Sequence, residues 1–251
     1  MSPSPWPLLM SISVFSTAMG FVLFVSKGFP YLMFLGLLSI FTIFFLWCRD
    51  VVIEATYQGA HTLRVIYTLK LGFYFFVASE AMFFVSFFWA YFHARLAPNV
   101  EVGSVWPPAG VMPFNPFGVP LLNTIILVSS GVRVTWAHHA LIVGDFNQTT
   151  VGLIITVALG VYFTMLQGYE YYEASFSFAE GVYGSTFFIA TGFHGLHVIV
   201  GTLFLLVCLL RHLKGEFRGS HHFGFEAAAW YWHFVDVVWL FLFMCIYWWG
   251  F

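Results

Sequence analysis

Inside the long apolar runs of this chain the few ionisable side chains are of types that do chemistry. Glu80 stands in the middle of the run 71–93, with Phe83, Phe84 and Phe87 on its helical face at i+3, i+4 and i+7. A carboxyl group at that depth can relay a proton or bind a cation, or it can hydrogen-bond a neighbouring helix, and both readings stay open. Glu226, Trp230, His233 and Asp236 follow one another at spacings of 4, 3 and 3, which puts them on one broad face of a last helix. His194 and His197 share a face at i, i+3, while Arg133, His138 and His139 lie on a further run. Converging imidazoles could ligate a metal or a haem. The spacing gives that little support, because the chain has no H-E-x-x-H and no Glu-x-x-His repeated on two helices. The expected arrangement is an interhelical polar network of His194, His197, Glu226, His233 and Asp236, with the acids compensated by His or Arg. No metal ligands and no catalytic residue are expected in this chain. Two alternatives remain in view: a stand-alone proton or ion transporter using Glu80, His233 and Asp236, and a haem-binding membrane cytochrome using His138 and His194.

These residues need membrane-spanning helices to hold them. Of the 251 residues, 61% are hydrophobic, 22% aromatic and 8% charged, against about 25% charged in soluble domains. Mean hydropathy is +0.88. A soluble globular fold, a disordered chain and a nucleic-acid-binding surface are excluded, because nine Lys and Arg can neither solvate a surface nor build a basic patch. About 20 apolar residues cross a bilayer, and the pattern predicts seven spans at 8–26, 29–48, 71–93, 119–142, 149–169, 182–210 and 227–249. The intervening segments are polar or turn-forming: Lys27-Gly28, Arg49 to Lys70, Pro98 to Pro120, Gly144 to Asn147, Glu170 to Glu180 and Arg211 to Glu226. Gly152, Gly160, Gly192 and Gly195 are read as close helix contacts.

Arg49, Arg64, Lys70, Arg211, Lys214 and Arg218 fall on the side of the N-terminus, and Lys27 and Arg95 on the other. The N-terminus is therefore expected to face cytoplasm or mitochondrial matrix. Trp6, Trp47, Trp106, Trp248 and Trp249 lie near the ends of spans, as interfacial anchors do. Basic residues grouped at the second and sixth loops either set this topology alone or also bind anionic lipid headgroups. Cys48, Cys208 and Cys245 are far apart and in apolar surroundings, so neither a disulfide framework nor a cysteine metal site is expected. With Lys27 as the first basic residue, no cleavable signal is expected either.

Long segments of the chain resemble the cytochrome c oxidase subunit III family. They are PSPWP at 3–7, SEAMFFVSFFWAYFH at 79–93, WPPAG at 106–110, TWAHHA at 135–140, GVYGSTFFIATGFHGLHVIVGT at 181–202 and HHFGFEAAAWYWHFVDVVWLFLFMCIYWW at 221–249. The resemblance is colinear and covers almost the whole chain, 1–251, as one domain. It implies an all-α integral membrane protein of seven transmembrane helices, with a two-helix bundle (1–2) and a five-helix bundle (3–7) separated by a lipid-filled cleft. It also implies a non-redox core subunit of a complex that oxidises cytochrome c, reduces oxygen to water and pumps protons. Haem a and copper would belong to partner subunits I and II, alongside further small subunits and bound phospholipids including cardiolipin. By position, Glu80 matches the family's intramembrane carboxylate. Arg49, Glu54 and His61 match residues associated with cleft lipid, and Arg211 and Lys214 a site for anionic lipid such as cardiolipin. Stabilisation of the core, oxygen access and proton uptake are the roles implied. The implied location is the mitochondrial inner membrane, N-terminus in the matrix and C-terminus in the intermembrane space, with a bacterial plasma membrane as the alternative. Cys48, Ile53, Ala60 and Arg133 depart from the family pattern, the last at a position where small residues are common.

Overall fold

The computed structural model describes residues 3–100, 103–219 and 221–250. Among them, seven helices are long and apolar enough to cross a membrane: α1 Trp6–Lys27, α2 Tyr31–Thr56, α3 Leu63–Leu96, α4 Val119–Val143, α5 Phe146–Tyr172, α6 Gly181–Leu213 and α7 Phe223–Leu242. A π-helical segment, Phe243–Trp248, continues α7. An isolated bridge between Arg218 and His221 is the β-type pairing among the described residues. The chain divides into two compact units, Met1–Thr68 and Leu69–Phe251, so the boundary falls inside α3 and not in the loop before it.

The helices outrun the apolar runs that announce them. Expected as a charged loop, 49–70 is helical except for 57–62, and the loop expected at 170–180 begins only after Tyr172. Apolarity marks hydrocarbon depth, whereas the i→i−4 hydrogen bonding continues through the interface, where Arg, Asp and Glu are ordinary helix residues. Between α4 and α5 the chain turns at once. Gly144 closes α4 with φ 87°, and the Asp145 side chain accepts the Gln148 N–H as the cap of α5.

In the first unit, α1 and α2 form a hairpin closed at Gly28, which has φ 71° and whose N–H meets the Phe24 carbonyl at 2.9 Å. The backbones meet at Gly20, beside Met33, and at Gly36, beside Thr17. At the open end the Trp6 indole N–H donates to Asp50 at 2.8 Å.

In the second unit, α7 runs through the centre. Trp232, fully buried, lies against Gly160 of α5 and Gly201 of α6, where an added methyl would come within 2.7 and 2.9 Å of its ring. Its indole N–H donates to Ser130 of α4 at 2.8 Å, and Trp239 makes the corresponding bond to Thr124 at 2.9 Å. One residue thus touches three other helices. Gly152 meets Ala137 between α4 and α5. Gly192 and Gly195, expected to make similar contacts, do not: a methyl at Gly192 would find only the Tyr171 hydroxyl at 3.8 Å, and at Gly195 open space.

Candidate functional site

Helix α3 carries three polar attachments to the rest of the second unit, at successive levels of the span. Near its start, Lys70 pairs with Glu226 of α7 at 2.7 Å and lies 5.6 Å from the centre of the Trp230 ring, which stacks on Tyr74. Near its end, Arg95 donates to the Tyr91 hydroxyl at 3.1 Å and to the Trp249 carbonyl, with its guanidinium over the Trp249 ring. Between them, Glu80 meets His197 of α6, Oε2 to Nε2, at 2.9 Å.

The middle contact has a defined proton count. His197 Nδ1 lies 2.6 Å from the Phe193 carbonyl. A carbonyl only accepts, so Nδ1 carries hydrogen. The contact at Nε2 then needs one further proton, held either by the imidazole or by the carboxyl group. As an ion pair or as a neutral pair, the couple has no net charge, which is the form tolerated at this depth. Phe84 covers the imidazole edge-on at 5.0 Å, and Tyr231 stacks on it at 6.2 Å. The side chains retain 25% and 10% exposure for Glu80 and His197, so the pair sits at the edge of the bundle and not in its centre.

The rest of the expected network breaks up, except that His233 and Asp236 stay together. His194, wholly buried, faces the Val235 carbonyl at 3.2 Å and packs against Phe163 and Trp239. Asp236 rests on Gly131 of α4, where a methyl would collide with its carboxylate, and lies 3.6 Å from His233 Nδ1. Thr135 donates its hydroxyl hydrogen to the Gly131 carbonyl, so it accepts from His233 Nε2 at 3.1 Å. Glu226 is compensated by Lys70 and not by the His or Arg expected. Glu80 bonds α6, whereas Asp236 pairs within α7 and rests on α4. His138 meets His222, Nε2 to Nε2, at 3.1 Å, away from the partners of His194. Among the described residues, no group of three or more His, Cys, Asp and Glu is arranged to hold a metal.

Of the residues matched to lipid sites, Arg49 is half exposed and pairs with its neighbour Asp50 at 2.9 Å. Glu54 and His61 are half-buried around the turn after α2. Arg211 is held by Glu216 at 2.9 Å and lies over Phe217 at 4.5 Å, while Lys214 and Arg218 are exposed.

One buried acid escaped the sequence reading. Glu170, placed there in a loop, is 2% exposed inside α5 and accepts the Tyr247 hydroxyl at 2.6 Å. Beside it, Tyr171 donates to Thr191 of α6 at 2.8 Å. The signal available was Gln167 and Glu170 at i, i+3 with Tyr171 following, an amphipathic turn at the end of an apolar run.

Comparison with known proteins agrees with this architecture. The family model described as Cytochrome c oxidase subunit III matches residues 1–251. Cytochrome c oxidase subunit 3 of Drosophila melanogaster is 58% identical over 248 residues, 98% of this chain and 94% of that protein. The protein of that name from Branchiostoma lanceolatum is 58% identical over 99% of this chain and 95% of its own length. The one from Struthio camelus is 57% identical with the same coverage.

Proposed function

The chain belongs to the cytochrome c oxidase subunit III family, the non-redox subunit of the terminal oxidase complex, and from that premise we propose that its own contribution centres on the Glu80–His197 pair. The observation that carries this reading is the 2.9 Å contact combined with the commitment of His197 Nδ1 to the Phe193 carbonyl. Such a pair can carry its one shared proton on either partner, and so offers a proton-holding site at the level of the membrane without a resident cofactor. Partner subunits I and II hold the haem a and copper. Proton uptake, oxygen access and the durability of turnover are the properties this chain supports.

Lipid contacts complete the proposal. Lys214 reaches anionic headgroups such as cardiolipin's at the boundary where α6 ends, with Arg211 oriented beside it by Glu216. Arg49, Glu54 and His61 serve phospholipid in the first unit. The membrane is the mitochondrial inner membrane, with the N-terminus in the matrix, which puts these basic groups on the matrix side.

Glu80→Gln in the complete complex tests the central point, because the amide keeps the shape and removes the shared proton. The expected result is unchanged haem a absorbance with slower proton uptake or a shorter life under turnover. Loss of haem, or turnover and proton uptake equal to the parent, would overturn it. A stand-alone transporter would instead require a connected relay, and Glu80 bonds α6 whereas Asp236 rests on α4.

A further inference from the structure

Arg133 lies two residues from the centre of α4, Val119–Val143. At 1.5 Å per residue it is about 15 Å from the nearer helix end, too deep for a side chain to reach the headgroups of a bilayer whose hydrocarbon core is about 30 Å thick. It is nevertheless exposed on the surface of the chain, between the exposed residues Val132 and Ser129. An arginine facing lipid at mid-membrane is among the most unfavourable placements a helix can have.

The chain supplies no carboxylate to relieve it. Each acid of the second unit's membrane helices that could act at this depth is engaged elsewhere: Glu80 with His197, Glu226 with Lys70, Asp236 with His233 and Glu170 with Tyr247. Among the described residues Arg133 has no ion pair, and its nearest aromatic contact is Trp136, 5.7 Å from the ring centre. Arginines inside membrane spans are rare and face protein or water in preference to hydrocarbon.

We propose that this exposed face of α4, with Ser129, Val132 and Arg133, is an interface with a transmembrane helix of a partner subunit, and that this helix presents an Asp or Glu carboxylate to Arg133. Depth favours a protein carboxylate over a lipid phosphate as the occupant, and a crosslink to a partner acid distinguishes the two. The inference rests on the chain's place in the oxidase complex and adds to it the position and chemistry of one contact. A guanidinium and a carboxylate brought together as two helices pack satisfy each other only in the assembled state, so the pair ties insertion of each helix to assembly.

Two variants in the complete complex test this. Arg133→Leu makes α4 easier to insert, so any loss of the chain reports on the interface and not on membrane integration. The expected result is a several-fold drop in the share of complexes that keep this chain through detergent purification. In Arg133→Lys complexes treated with a carbodiimide, the new amine is expected to form an amide with a partner carboxyl group, the reagent taking up the lost water as a urea. The linked peptides would be identified by mass spectrometry. Wild-type retention of Arg133→Leu overturns the proposal, as does a crosslink only to an acid of this chain, or loss of the chain with no crosslink to a partner. Failure of the parent chain to copurify with haem a would instead count against membership in the complex, and is read separately from the same preparations.

Discussion

Helices α4 and α5 are joined by their backbones, whereas α3 is joined to α6 and α7 by the ends of long side chains. A methyl on Gly152 would stand 2.7 Å from the Ala137 Cβ and 3.2 Å from its Cα. Across α3 the contacts are Tyr74 on Trp230 at 4.8 Å, Phe83 on Phe193 at 5.1 Å, Lys70 with Glu226 and Glu80 with His197. Lipid tails are as apolar as leucine, so neither junction is held by the hydrophobic effect that closes a soluble core. Close van der Waals approach holds the first. Ring contacts and compensated charge hold the second, and those can shift by a rotamer without separating the helices. The protonatable pair belongs to the adjustable junction, and the framework that fixes Trp232 belongs to the rigid one.

The most damaging test of this contrast is Gly152→Val. Two β-branched methyls against the Ala137 backbone have no rotamer that clears it, and overpacking of this kind costs about 3 kcal/mol or more. Complexes carrying it are expected to lose this chain on mild heating, read by native gel electrophoresis after a temperature ramp. Gly152→Ala should cost less, and adding Ala137→Gly should recover most of that loss, because the methyl has only changed sides. Equal stability of Gly152→Val and the parent would mean that α4 and α5 are not locked as their backbones indicate.

A smaller effect is expected at the polar end of the α3 junction. Lys70→Met leaves Glu226 without its cation, and stranding a partly buried carboxylate costs about 1–3 kcal/mol once its remaining exposure to solvent is allowed for. The double variant Lys70→Met, Glu226→Gln should be more stable than the single one. The same temperature ramp on the two complexes decides it, and a double variant no better than the single would show that the charge on Glu226 is satisfied without Lys70. This pair also shows where sequence stops being informative. The seven apolar runs and the mid-helix position of Glu80 were legible, because hydropathy and helical spacing are local properties. The counter-ion of Glu226 stands 156 residues away, on a helix whose rotation no local pattern fixes. The face of Asp236 turned toward α4 because Gly131 leaves room for it, which is a property of the pair of helices and not of either sequence segment. Glu170 was hidden for a related reason: its partner Tyr247 lies beyond α7, in the π-helical segment.

The mildest change sharpens the comparison from the other side. Phe83 is 38% exposed and lies edge-on to Phe87 and Phe193 at 4.6 and 5.1 Å. Phe83→Leu removes those edge-to-face contacts, worth about 1 kcal/mol together, but leaves an apolar group that can fill toward Phe193 by choosing another rotamer. Assembly and haem content should match the parent, with a shift of the dissociation temperature near the limit of measurement. If adjustability is what the junction provides, combining Phe83→Leu with Glu80→Gln should change turnover no more than Glu80→Gln alone, since the ring covers the neighbourhood of the pair without bonding to it. A severe loss from Phe83→Leu by itself would place α3 with the rigid helices, and the two junctions would then differ in chemistry but not in tolerance.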